Sequence, residues 1–348
     1  MHQAESASND VRAARDGTRP NGEDRRITLS DIQRPVANEL KTFQRTFRDS
    51  MNTRVALLDR IVRYLLRQKG KQLRPVLVLL TARACGEISD TTYRGAALVE
   101  LLHTATLVHD DVVDDADRRR GLFSINALWK NKIAVLLGDF LLSRGLLLAL
   151  DSKDYDLLHV LSDAVRRMSE GELLQIEKAR RLDIDEETYF RIISDKTASL
   201  IAACTSCGAV SVTDDPELQD AMKRFGEALG MAFQIRDDLF DFGVRDVGKP
   251  LGIDLQEKKM TLPLIHALSG AGWMERRSIM KIVRKKEKSP EDVETVTSFA
   301  RERGGIDYAR ERMQAFADVA RGHLSVLEAS EARDALDDLV TFTVTRKR

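Results

Sequence analysis

The sequence predicts an all-α fold in a single helical domain, and three observations carry the helical class. Glycine and proline number only 20 and 7 among 348 residues, too few for a turn-rich β architecture or a low-complexity chain. No proline occurs between residues 76 and 215, so long helices are permitted there. Apolar residues recur at spacings of three and four, as in Leu98, Leu101, Leu102, Ala105, Val108 and Val112, whereas alternation of period two is hard to find.

The chain opens on a polar segment, residues 1–27, with mixed charge and almost no large apolar side chain, and this reads as a disordered tail. Its arginines are interleaved with Glu5, Asp10, Asp16, Glu23 and Asp24, whereas organelle transit peptides are poor in acids. Residues 28–348 read as one helical domain, since no linker and no solenoid repeat interrupts them. Helix breaks are expected near Gly86 and Gly121, over 151–156, 183–185, 213–216, 243–254 and 269–273, and at Gly304-Gly305. Ser289-Pro290-Glu291-Asp292 has the order of an N-cap, a proline at the first helical position and acids in the first turn. The most apolar stretch is Ile133 to Leu150. Asp139 and Arg144 lie inside it and would each cost about 2.5–3.5 kcal/mol at a bilayer centre. It therefore reads as a buried helix or a dimer contact, not a transmembrane segment, with Asp139, Arg144 and Glu100 as polar anchors.

Lys plus Arg and Asp plus Glu both total 55, so net charge favours neither nucleic acid nor an anionic membrane as partner. Three cysteines, Cys85, Cys204 and Cys207, are too few for a disulfide scaffold and point to a reducing, cytoplasmic setting. The Cys204/Cys207 pair lacks the second pair that zinc would need, and reads as two small buried residues one helical turn apart.

Chemistry concentrates in two acidic clusters, Asp110-Asp111-Val112-Val113-Asp114-Asp115 and Asp237-Asp238-Leu239-Phe240-Asp241. On a helix Asp110 and Asp114 stand about 40° apart, one turn from each other, with Asp111 at the edge of the same face, and Asp237, Asp238 and Asp241 repeat that geometry. Like charges four apart cost a helix a few tenths of a kcal/mol, and both clusters sit in apolar segments, so a counter-charge is needed. Carboxylate oxygens suit Mg²⁺, which completes its octahedron with water and substrate phosphate. Basic groups for a phosphate are at hand in Gly70-Lys71-Gln72-Leu73-Arg74-Pro75, Arg118-Arg119-Arg120-Gly121, Lys196-Thr197, Gly248-Lys249-Pro250 and Lys258-Lys259. His103 lies two turns before Asp110, about 20° from it in angle.

Taken in order, Gly70-Lys71-x-x-Arg74-Pro75, His103 before His109-Asp110-Asp111, Arg119-Arg120-Gly121, Gly138-Asp139, Lys196-Thr197-Ala198, Phe233-Gln234-x-x-Asp237-Asp238-x-x-Asp241, and Gly248-Lys249-Pro250 through Thr261-Leu262-Pro263 resemble the trans-isoprenyl diphosphate synthase (polyprenyl synthetase) family, long-chain type. The resemblance implies a large helical fold around a central cavity and a homodimer. It also implies head-to-tail condensation of isopentenyl diphosphate onto an allylic diphosphate, farnesyl or geranylgeranyl, dependent on two or three Mg²⁺ ions. It assigns the metal to Asp110, Asp111 and Asp114 on one side and to Asp237 and Asp241 on the other, with Asp238 and Lys196 also catalytic. The allylic diphosphate is implied to meet Arg119, Lys196, Thr197, Gln234, Lys249 and Lys259. Gly70, Lys71, Arg74, His103 and Arg120 are implied to bind isopentenyl diphosphate. Lys258 stands where the family usually has glycine, which leaves the ligand open between Lys258 and Lys259. The basic end Arg346-Lys347-Arg348 resembles family termini that close over the site, with a frayed end as the open alternative.

Product length is expected to follow cavity depth. One turn beneath Asp110 lies Thr106, with Ala105 adjacent and Leu102 beyond. Bulky residues at these positions cap short products in the family, and neither Ala105 nor Thr106 is aromatic. The expected product is therefore an all-trans polyprenyl diphosphate of roughly six to ten isoprene units, with Leu102 and Phe140 as floor candidates. A twenty-carbon geranylgeranyl product and a non-catalytic partner subunit stay open as alternatives, although such a subunit would be expected to lose carboxylates or cations that this chain keeps.

Overall fold

The computed structural model describes residues 27–67, 70–119, 122–243 and 252–346. Thr28 opens α1 (Leu29–Gln33) with a capping box to Asp31, and a 3₁₀ turn containing Pro35 leads into α2 (Ala37–Ser50) and α3 (Ala56–Leu65). Then come α4 (Leu73–Cys85), ended at Gly86, and α5 (Asp90–Val113). β1 (Arg118–Arg119) pairs antiparallel with β2 (Leu122–Phe123), in register Arg118 with Phe123. This hairpin departs from the all-α expectation, because strands of two residues are too short to show a period in sequence. α6 (Ile125–Asp151) is two helical pieces joined at Lys130, whose φ is 73°.

α7 (Tyr155–Arg181) and α8 (Glu186–Ile193) run into a π-helical turn, Ser194–Ala198, and then α9 (Ser199–Val210). α10 (Pro216–Asp241) starts on a proline capped by Asp215. The remainder is α11 (Ile253–Gln256), α12 (Leu262–Ser269), α13 (Trp273–Val283), α14 (Pro290–Glu302), α15 (Gly305–His323) and α16 (Glu331–Thr345). Ser289 and Asp292 form the capping box expected from the sequence at the head of α14. The boundaries at 151–155, 181–186, 210–216 and 269–273 coincide with the expected breaks. The expected tail lies outside the described residues except for Ile27, which packs on the core.

α9 is buried along almost its whole length, with α4 on one side and α10 on the other. A helix wrapped by neighbours needs no polar face, which explains its small and apolar sequence without a charged residue. Cys204 and Cys207 lie in it, unbridged and fully buried. Burial pushes the Cys204 thiol up to about 12. α10 packs along α15, and α5 along α6, so the two acidic clusters stand at the ends of α5 and α10, each helix anchored by its own long partner. Two of the expected polar anchors in α6 are placed differently. Arg144 donates to the Ser50 carbonyl at 2.5 Å, whereas the Asp139 side chain is 62 % exposed and anchors nothing in the core.

Candidate active site

At the end of α5 the first acidic cluster divides. Asp110 and Asp114 are exposed, while Asp111 is buried and accepts from Arg119 Nε at 2.6 Å. Its backbone carbonyl accepts from Asn126 Nδ2 at 3.0 Å, tying the helix end to the start of α6. Asp111, at the edge of the face, turns its side chain into the protein and holds Arg119. The Asp110 carboxyl is raised from its ordinary value, first because nearby protein displaces part of its water and then because Glu172 and Asp114 stand near, with Lys196 and Arg119 acting in the opposite sense. Glu172, on α7, forms an ion pair with Lys196, whose Nζ also lies 3.4 Å from Gln175 Oε1.

At the end of α10 the second cluster divides in the same way. Asp237 keeps an open side and forms an ion pair with Arg346, the residue that caps α16. The Arg346 guanidinium stacks over the Phe233 ring at 4.1 Å, and its carbonyl accepts from Arg236 Nη2 at 2.9 Å. Burial pulls Arg346 below its ordinary value, opposed by Asp237. Asp238, expected among the catalytic carboxylates, is instead buried, accepting from Tyr189 Oη at 2.7 Å and Gln234 Nε2 at 2.8 Å. Burial pushes Asp238 up to about 7, against the pull of those hydrogen bonds. Gln234 in turn accepts from Thr197 Oγ1 at 2.9 Å, so Asp238 orients a relay that ends on the π-turn.

Lys259 lies between the clusters. Its Nζ is 2.5 Å from Glu257 and 4.0 Å from Asp254, and Asp254 and Asp114 both act to raise it. Lys258 instead adopts a φ of 59° and acts on Lys288. With Asp241, Lys259 borders a small recess, and with Lys196, Thr197, Gln234 and Asp238 a cavity of about 240 Å³.

A larger cavity, about 360 Å³, opens beside the first cluster and is lined by Gly70, His103, Asp111 and Arg119 with the apolar Phe47 and Leu107. Here the structure brings together residues from four places in the chain. Lys71 is exposed, held through its carbonyl by Gln33 Nε2 at 3.2 Å, and Arg74 lies close enough to act on the Cys204 thiol. On α5 the cavity wall is Glu100, His103, Thr104, Leu107 and Val108. Thr106 is half-buried, its hydroxyl donating to the His103 carbonyl at 2.9 Å. Ala105 is fully buried in a cluster with Ala134, Leu137 and Leu141, against which Phe140 packs, and Leu102 belongs to the main core. Arg120, Lys249, Lys347 and Arg348 lie outside the described residues.

Among the described residues no three His, Cys, Asp or Glu side chains converge into a ready-made metal cage. Mg²⁺ needs none, since it commonly takes one or two carboxylates and completes its shell with water and phosphate. Asp110 and Asp114, exposed one turn apart at the end of α5, offer an oxygen-only donor set that fits that ion. Sequence reasoning missed Glu172, Gln175 and Tyr189, which carry no motif; each is defined only by what α7 or α8 packs against.

Comparison with known proteins places the chain in a family. The chain matches the polyprenyl synthetase family over residues 55–299. It is 35 % identical to the octaprenyl diphosphate synthase of Escherichia coli over 92 % of this chain and all of that one. The structure of a decaprenyl diphosphate synthase from Rhodobacter capsulatus superposes with a TM-score of 0.87 at 35 % identity, covering 92 % of this chain and all of that one. A polyprenyl synthase from Caulobacter crescentus, solved in complex with calcium and isoprenyl diphosphate, gives a TM-score of 0.85 at 33 % identity, covering 94 % of this chain and all of that one. The chain belongs to the polyprenyl synthetase family, as a transferase of the polyprenyl diphosphate synthase type.

Proposed function

We propose that the protein adds isopentenyl diphosphate head-to-tail onto an allylic diphosphate and releases an all-trans polyprenyl diphosphate of roughly six to ten isoprene units. The observation that carries this reading is the meeting of Lys196 and Lys259 around one cavity with Thr197, Gln234 and Asp238, the last two on the helix that ends in the second acidic cluster. Two acidic helix ends with cations between them are what a metal-bridged diphosphate requires.

Asp110 and Asp114 from one side, and Asp237 and Asp241 from the other, would hold Mg²⁺, which when bound offsets the charge on the departing diphosphate. Lys196 and Lys259 add fixed positive charge, and Thr197 and Gln234 orient the same group. Arg119 is held toward the site by Asp111. Gly70, Lys71, Arg74 and His103 receive isopentenyl diphosphate in and around the larger cavity, with Arg120 and Lys249 completing the two phosphate grips. Ionisation of the allylic substrate leaves a carbocation, which the double bond of isopentenyl diphosphate attacks. The released diphosphate takes the proton, and the apolar wall of Phe47, Leu107 and Val108 keeps water from the cation.

The octaprenyl and decaprenyl names of the relatives support a long product. Incubation with isopentenyl diphosphate, farnesyl diphosphate and Mg²⁺, followed by mass spectrometry of the extract, is expected to give a ladder ending at about six to ten units. EDTA is expected to abolish it. A stop at twenty carbons would overturn the length, and no elongation at all would overturn the reaction.

The protein works as a homodimer in this reading. About a third of the most apolar window of α6 is buried, and Leu136, Leu146, Leu147 and Leu150 are 45–55 % exposed on its outer side. A second copy covering this face would remove them from water. Light scattering is expected to give twice the chain mass, and Leu136→Glu with Leu147→Glu to give the monomer; a monomeric wild type would sink the idea. The unbridged, buried thiols support a cytoplasmic setting.

A further inference from the structure

Lys196 and Thr197 do not sit on ordinary helix. Between α8 and α9 the chain winds as a π-helix over Ser194–Ala198, and insertions of this kind are found mostly at functional sites. One inserted residue turns every following side chain by about 100° relative to an unbroken helix, so the aim of Lys196 and Thr197 depends on keeping the insertion where it is.

A polar clamp holds it there. Arg167 of α7 donates from Nε to Asp195 Oδ1 at 2.8 Å, and from Nη2 to Ser194 Oγ at 2.9 Å and Glu227 Oε1 at 2.8 Å. Ser194 Oγ passes its own hydrogen to the same Glu227 oxygen at 2.9 Å. Arg167 and Asp195 are only 18 % and 19 % exposed, so this ion pair is poorly screened and geometrically tight. α7 also crowds the turn: a Cβ on Gly171 would stand 2.8 Å from the backbone nitrogen of Lys196. None of Arg167, Ser194, Asp195 and Glu227 lines the cavity beside the first acidic cluster or the one that holds Lys196 and Thr197. The clamp therefore has no direct part in binding, yet it joins α7, the π-turn and α10 beside the lysine.

We propose that Arg167 is a positioning residue for the allylic diphosphate: bridging Asp195 and Glu227, it locks the π-turn that aims Lys196 and Thr197. The proposal rests on the reading of Lys196 as a diphosphate grip. A planar fork can meet Asp195, Ser194 and Glu227 together, whereas a lysine at 167 offers a single ammonium and restores the clamp only in part. A displacement of order 1 Å at a substrate-positioning group costs up to about 10²-fold.

Steady-state kinetics with farnesyl diphosphate and isopentenyl diphosphate on Arg167→Met, Arg167→Lys, Glu227→Gln and Lys196→Ala test it, with circular dichroism to confirm the native helix content. The expected result for Arg167→Met is a rise of about tenfold in KM for the allylic substrate, with KM for isopentenyl diphosphate within about twofold of wild type. Arg167→Lys should lie between Arg167→Met and wild type. An unchanged allylic KM in folded Arg167→Met, or an equal rise for both substrates, overturns the proposal. If Arg167→Met does not fold, the isosteric Glu227→Gln carries the same expectation and the same refutation. A raised allylic KM in Lys196→Ala without one in Arg167→Met refutes the positioning role alone. No change in Lys196→Ala removes the grip reading, and the proposal falls with it.

Discussion

Asp110→Ala is expected to lower kcat by about 10³-fold while leaving the fold intact. The loss follows from what Asp110 faces: it is exposed at the end of α5, with Asp114 and Glu172 beside it and Lys196 across the gap. Without that carboxylate the diphosphate loses a metal anchor and its charge is no longer offset as it departs. Stability should move the other way in Mg²⁺-free buffer. The Asp110 carboxyl is raised in the folded protein, so its ionised form is favoured less there than in the unfolded chain. Its unfavourable contribution is small below the unfolded value and grows as pH rises through the folded one. Urea denaturation at neutral pH should therefore show Asp110→Ala at least as stable as wild type. A folded variant that keeps a tenth of wild-type turnover would remove Asp110 from the metal site.

Gly226→Val is expected to be the most destabilising of these substitutions, at about 3 kcal/mol, because α9 and α10 meet there almost backbone to backbone. A Cβ on Gly226 would stand 2.2 Å from Thr205 Oγ1, 2.7 Å from Ala202 Cα and 2.8 Å from the Ile201 carbonyl oxygen. Two of those three atoms are main chain and cannot rotate away. Relief requires separating the helices, and α10 carries Gln234, Asp237 and Asp238, so activity should fall at temperatures where wild type still works. The urea midpoint should drop with little change in slope. A variant as stable as wild type would show that the two helices are not held at that spacing.

The helices and their ends were legible because the signals are local. Ser289 and Asp292 close a capping box within one turn, Pro216 and Pro290 start α10 and α14, and Gly86 ends α4. Both acidic clusters were legible for the same reason, since residues one turn apart on a helix share a face wherever that helix is placed. Inside each cluster the side chains part ways. Asp111 and Asp238 repeat the motif as acids, yet each turns into the protein to hold a neighbour, Arg119 in one case and Gln234 in the other. Which carboxylate of a pair is buried depends on what the next helix offers it, and that partner leaves no mark in the motif.

By itself the sequence determined the helical class, most helix ends and the spacing of the two carboxylate arrays. These follow from periodicity, caps and residue chemistry, which act within a few residues. Only the tertiary structure decided that Arg346 meets Asp237 across 109 residues, that Lys259 and not Lys258 stands between the acidic clusters, and that Glu172 faces Lys196. It also decided that Arg167 clamps the turn behind Lys196. The physical reason is common to all four: a charge finds its partner through the crossing of packed helices, and that crossing is set by the shapes of buried side chains along their whole length.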